Sequence, residues 1–254
     1  MATTDDSYHR LLADYRARDN YDAVFRSTLD DLVGKMDLSW VKSCIAFGAG
    51  SGEHEIEFVR RFLPNLFQFV GIDPDHASIT ALRSNFQNAG LPGVQAEIVE
   101  TTVENWKGVE KPVDAALFFN AIYHVPSDAR QQLLRKLRAQ YLNPDGVVIM
   151  IENGSPLTSG YIRLMHRLGY AQDNWHDDIK KEVLQCGFRL DSVHDIVSTR
   201  DLSAPTDGVV KYVELLFENT ISGDQVRAAI DDIYSDPDPQ VKQIVKKLAT
   251  FRKS

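Results

Sequence analysis

At 254 residues, with 43% apolar and 25% charged side chains, the chain has the material for one α/β domain with additions and an ample core. Its net charge of −8 argues against a nucleic-acid or anionic-membrane surface, because phosphate binding needs clustered Lys and Arg. Two cysteines, Cys44 and Cys186, cannot make a disulfide framework or a metal cluster, and both read as buried thiols.

The first ten residues are polar and acidic with no apolar signal core, and no run approaches about 18 apolar residues, so the expectation is a cytoplasmic protein. Residues 5–36 read as one or two helices, with apolar residues at three- and four-residue spacing. From Cys44 the pattern changes to strands alternating with helices. "SCIAFG" is an apolar strand and "GEHEIEFVRRFL" a helix. "FQFVGID" is a second strand, followed by a helix that Gly90 closes. "VQAEIVE" and "VDAALFFN" are the third and fourth strands. Residues 127–141 form an amphipathic helix with Ser127 as N-cap, "NPDG" is a turn and "VVIMIE" the fifth strand.

Strands that are continuously apolar, separated by helices, indicate a parallel sheet covered on both faces. After residue 153, "SGYIRLMHRLG" and "HDDIKKEVLQCGF" read as helices and "RLDSVHDIVST" as a sixth strand. "VVKYVELLFENT" fits strand or helix equally. "SGDQVRAAIDDIY" and "PQVKQIVKKLATF" both read as helices, the second running into a basic amphipathic C-terminus. With no linker in sight, the expectation is a single domain. Residues 1–43 form a helical N-terminal cover, 44–152 a ligand-binding core, and 153–254 a pocket cover with C-terminal helices.

Gly48, Gly50 and Gly52 fall where the first strand hands over to the first core helix, the place where open α/β sheets bind ligands. Bare backbone turns tightly there and approaches a ligand closely, with free N–H groups at the helix start. Asp73 ends the second strand, where a carboxylate can accept both hydroxyls of a ribose. A dinucleotide fold wants G-x-G-x-x-G, but the third-glycine position holds Glu53, whose charge repels a pyrophosphate. The spacing here is G-x-G-x-G.

That spacing, with Asp73 and "LFFNAIYHV" after the fourth strand, resembles the class I S-adenosylmethionine-dependent methyltransferases. The resemblance implies a Rossmann-like, seven-stranded-type methyltransferase sheet with helices on both faces. The added N- and C-terminal helices complete the expected α/β fold. Within that superfamily "FGAGSGEHEI", "GIDPDHASI", "NAIYHVPSD", "NGSPLTSGYIRLMHRLG" and "DIVSTRDLS" are similar to the histamine N-methyltransferase family.

By that resemblance the cofactor is S-adenosyl-L-methionine, leaving as S-adenosyl-L-homocysteine. Gly48, Ala49, Gly50, Gly52, Glu53, Asp73, Pro74, Ser78, Thr102 and Phe119 would touch it. Tyr8, Tyr15, Asp19, Asn120, Tyr123, His124, Tyr161, Trp175 and Phe217 would line an amine pocket, with Asn120, Tyr123 and His124 nearest the transferred methyl group. The tyrosines and Trp175 could box a cation with their ring faces.

Three departures from the family pattern stand out. Ala46 occupies a position, two before Gly48, where many members carry an acid. No glutamate precedes Glu53, so Asp19 or Asp22 would have to replace the family's amine-binding glutamate. The family's final strand, with its pocket asparagine, is replaced by the expected C-terminal helix. The implied activity is methyl transfer to a small molecule: a biogenic amine, an imidazole or an amino-acid-derived amine. The alternatives are O- or C-methyl transfer, nicotinamide-dependent oxidoreduction, and a non-catalytic binding protein. No metal is expected, since the seven histidines show no H-E-x-x-H or tight carboxylate spacing. The expected partner is the small-molecule substrate alone, with no nucleic acid or membrane, acting on a monomer.

Overall fold

Each central strand alternates its side chains between two apolar layers, which is why the strands read as unbroken hydrophobic runs. The computed structural model describes residues 6–169, 175–217 and 220–254. Strand β1 (Ser43–Phe47) sends Cys44 and Ala46 to one layer and Ile45 and Phe47 to the other. Strand β4 (Val113–Phe119) does the same with Leu117 and Phe119 against Ala116 and Phe118. Strands β2 (Gln68–Asp73), β3 (Gln95–Glu100), β5 (Leu142–Asn153), β6 (Phe188–Thr199) and β7 (Gln243–Lys253) complete a seven-stranded sheet of order β3-β2-β1-β4-β5-β7-β6. The first five strands are parallel, and β7 lies antiparallel between β5 and β6.

One layer is built with α2 (Tyr21–Leu32), α3 (Glu53–Phe62) and α4 (His76–Asn88), the other with α5 (Ser127–Lys136) and α7 (Trp175–Gln185). A third cluster joins α1 (Asp6–Arg16), α6 (Gly160–Arg167), α8 (Asp207–Leu216) and α9 (Gly223–Tyr234) around Tyr15, Leu202, Tyr212 and Ile230. Strand order reverses between β1 and β4, so the crevice beyond their carboxyl ends is the topological switch point.

The strand and helix order from Cys44 to Asn153 agrees with the sequence reading, and Gly90 closes α4 in the left-handed region, at φ 62°. The ambiguous "VVKYVELLFENT" is helical as α8. Ser127 does not cap α5. It is the first helical residue and its hydroxyl donates to Glu182 at 2.9 Å, while the helix proper stops at Lys136 and passes through a wider turn to Tyr141. Both cysteines are buried and free.

The C-terminal segment is the main correction. "QIVKKLATFRK" is β7, and its helix-like spacing of apolar residues arises for another reason. A strand enclosed by two others buries both faces, so Leu248 packs into the α2/α3 layer and Ala249 and Phe251 into the opposite one. The final strand expected to be missing is therefore present.

Candidate functional site

The turn after β1 works only with glycine. Gly48, Gly50 and Gly52 have φ of 62°, 53° and 76°, the left-handed region that costs other residues roughly 1–2 kcal/mol each. Their reasons differ. A Cβ on Gly52 would meet Leu82 Cδ1 at 2.1 Å, and one on Gly48 would meet Ala121 Cβ at 2.6 Å, so these two glycines permit close packing. A Cβ on Gly50 would meet nothing within 4 Å; it would project into the open crevice.

The three positions therefore separate by experiment. Gly52→Ala should cost about 2–4 kcal/mol of stability, the sum of backbone strain and overpacking against buried Leu82. Gly50→Ala should melt within a few degrees of the parent but lose cofactor affinity, read by calorimetry with S-adenosylhomocysteine.

Asp73, buried at the end of β2, fastens this turn. Its Oδ2 accepts the Gly50 N–H at 2.9 Å and its Oδ1 accepts the Asp75 N–H at 2.9 Å. The Asp73 carbonyl accepts from Thr101 at 3.0 Å, which brings Thr101 and Thr102 alongside. Pro74 is exposed just past Asp73, and Ser78 sits in the first turn of α4, where Asp75 caps its backbone N–H at 2.7 Å. Ala49 is buried, its N–H donating to Ile72 O at 3.0 Å. Glu53 is exposed on the first turn of α3. Phe119 packs its ring edge-on against Phe58 at 5.3 Å, so its side chain belongs to the core.

Asn120 follows β4 directly and is the one non-glycine residue with positive φ among the described residues, at 56°. Its N–H donates to Ile151 O at 2.8 Å and its Nδ2 to the Tyr21 hydroxyl at 3.4 Å. Its Oδ1 is buried with no hydrogen-bond partner. A strained backbone and an orphaned acceptor at a switch point are the marks of a residue held for a ligand.

The sequence reading missed Glu55. It is 3% exposed on the first turn of α3; its charge is felt at Tyr21 and Cys44, and it feels those of Asp73 and Arg16. Among the described residues its carboxylate has no hydrogen-bond partner beyond its own backbone N–H, and burial, reinforced by Asp73, pushes its pKa up to about 8. Glu55 lies on the helix that covers the same sheet face as Ala46. The sequence offers only its place, an acid three residues past the last glycine; that this helix position packs inward is seen in the structure.

The expected aromatic box exists in part, and it is occupied by the protein itself. The Arg200 guanidinium lies 4.3 Å from the Tyr15 ring centroid and 5.8 Å from that of Tyr161. It donates to the Tyr15 hydroxyl at 2.8 Å and to Asp19 Oδ2 at 2.5 and 3.1 Å. Asp19, expected in the amine pocket, is held in a buried ion pair with Arg200. Asp22 is committed too, to His54 at 3.0 Å, a pair that ties α2 to α3.

Tyr123 and His124 stand together on the short turn after Asn120, ring centroids 4.5 Å apart. Partial desolvation and the nearby Lys246 charge lower the His124 pKa. Phe217 packs with α8 and α9 in the third cluster. The side chains of Tyr8 and Trp175 lie outside the described residues. No group of three or more metal-binding side chains occurs among the described residues.

These features fit the cofactor that the sequence implies: an open approach at Gly50, a carboxylate at the end of β2, and a buried acid, Glu55, close enough to couple with Asp73. Residues 45–146 match the family model of a methyltransferase domain, and the fold is that of class I methyltransferases. No curated protein sequence matches the chain. A candidate methyltransferase of Bacillus halodurans C-125 has a similar structure, at TM-score 0.65 and 16% identity over 89% of this chain and 99% of that one. The N-methyltransferase NodS of Bradyrhizobium japonicum WM9, solved with S-adenosyl-L-homocysteine, is similar at TM-score 0.58 and 10% identity over 98% and 99% of the two chains. The cyclopropane synthase MmaA2 of Mycobacterium tuberculosis is similar at TM-score 0.57 and 13% identity over 89% and 83%. Residues 45–146 are thus a methyltransferase domain, set in a chain with the fold of S-adenosylmethionine-dependent methyltransferases.

Proposed function

We infer that the methyl acceptor is the nitrogen of a small molecule, with Asn120 orienting it. The observation that carries this reading is the buried Asn120 Oδ1 without a partner, beside the switch point. An amide oxygen accepts an N–H and so turns the nitrogen's lone pair toward a fixed direction. Of the three acceptor classes implied by the sequence, an amino-acid-derived amine fits best, because the acids and rings that would hold a simple cationic amine are taken up by Arg200 and His54.

In this reading Asp73 and the glycine turn hold the ribose and the backbone of the cofactor, and Glu55 accepts its ammonium group, replacing the acid absent at Ala46. When bound, S-adenosylmethionine supplies the methyl group, its S–C bond breaking as the acceptor's lone pair forms N–C, with a proton then lost from nitrogen. The chain's own part is position: holding reacting atoms in line is worth up to about 7–11 kcal/mol. Tyr21, packed against His54 and bonded to Asn120, closes α2 over the site and excludes water.

Labelled methyl donor with a panel of amines, phenols and carboxylic acids, followed by product analysis, tests the assignment. Transfer to nitrogen is expected. Transfer only to oxygen or carbon, or none to any small molecule, overturns it.

A further inference from the structure

Beside Tyr123, on the turn that follows Asn120, lies a lysine with no carboxylate partner among the described residues. Lys246 projects from β7, its Cα paired with Asn153 of β5 and Ile196 of β6, on the sheet face that also carries Leu248 and α2. Its Nζ is 5.8 Å from the Tyr123 ring centroid. Lys247, pointing the other way, is paired with Asp195 at 2.6 Å, whereas Lys246 has no carboxylate within 4.0 Å among the described residues.

The charges that reach Lys246 are Arg200 and Arg16 on one side, Asp19 and Glu152 on the other. Asp19 is spent on Arg200. Glu152 is fully buried, with the His176 ring nitrogen at 3.5 Å, and burial raises its pKa. Arg16, at the end of α1, has no ion pair among the described residues and adds positive field. An ammonium without a counter-charge in such a place is costly, and a ligand that brings the missing anion removes the cost. Consistent with this, burial and the two arginines lower Lys246 to about 7.

We propose that Lys246 binds a carboxylate of the methyl acceptor, so that the substrate is an amine carrying its own acid group: an amino acid or a close derivative. The inference rests on the N-acceptor reading above and names the second point by which the acceptor is held.

Amino acids tested against their decarboxylated amines, histidine against histamine and tyrosine against tyramine among them, make the experiment. Binding to protein saturated with S-adenosylhomocysteine is read by ligand-observed NMR. The acid member of the best pair should bind at least about tenfold tighter, since an opposed charge pair near the surface is worth this much or more. Lys246→Met should erase the difference, Lys246→Arg should keep most of it, and Lys247→Met should leave it intact. A melting curve should show Lys246→Met folded and no less stable than the parent, because a half-buried ammonium without a carboxylate partner is gone.

Amines binding as well as their acids, no amino acid binding, or a preference that survives Lys246→Met overturns the proposal. Methylation of the decarboxylated amines in that event would leave the N-acceptor reading standing and remove only the acid anchor.

Discussion

Asp73→Ala should abolish measurable cofactor binding while leaving a folded protein. The carboxylate does two jobs with one group. In the ligand-free chain it accepts from Gly50 and Asp75, and these two bonds set the shape of the glycine turn. In the proposed reading the same carboxylate would take the ribose hydroxyls of the bound cofactor. Hydrogen bonds to a charged acceptor are worth about 1.5–3 kcal/mol each, so losing two to the ribose alone predicts roughly 10²–10⁴-fold weaker binding. Loosening of the turn adds to that loss.

Stability should fall by only about 1–3 kcal/mol, because the freed Gly50 N–H sits at the partly open crevice and water can replace the carboxylate there. Asp73→Asn separates the two jobs. Its single amide oxygen can keep one acceptor bond while its NH₂ faces a second donor, so binding should be intermediate and the turn partly intact. Calorimetry with S-adenosylhomocysteine and thermal melts of the three proteins decide the matter. Equal affinities across them would remove Asp73 from the cofactor site.

The core of the site was legible because it depends on backbone. A left-handed turn admits glycine and little else, so Gly48, Gly50 and Gly52 announce its geometry in the chain itself, and an acid ending the next parallel strand must lie beside it. What was not legible depends on pairing between distant segments. Asp19 looked free because Arg200, its partner, is 181 residues away. The tyrosines looked like a cage for a ligand because the sequence cannot tell whose cation fills it. The strand β7 looked helical because a doubly covered strand with two adjacent lysines has apolar residues at four-residue spacing. Glu55 was hidden by its type: an acid in a helix reads as surface, and only packing shows that this one faces inward at 3% exposure.

Glu55 also gives the sharpest test, because its two expected effects have opposite signs. Its folded pKa of about 8 lies above the ordinary 4.5. Between those values the folded state holds more protons than the unfolded one, so the ligand-free protein loses stability as pH rises through this window. Glu55→Gln removes the titration. The variant should therefore melt higher than the parent at pH 8 to 9, by about 2–4 kcal/mol, and nearly equally at pH 4.5.

Cofactor binding should move the other way. Deleting one partner of a buried charge pair costs about 2–5 kcal/mol, so Glu55→Gln should bind S-adenosylhomocysteine roughly 30-fold to several thousand-fold more weakly. A bound ammonium draws the carboxyl back to its charged form, so the parent should release a proton on binding at pH 7, seen as an enthalpy that changes with the ionisation heat of the buffer. The variant should release none. A residue buried merely to fill space would lose stability on substitution and show no linked proton, and either result would place the cofactor's ammonium elsewhere.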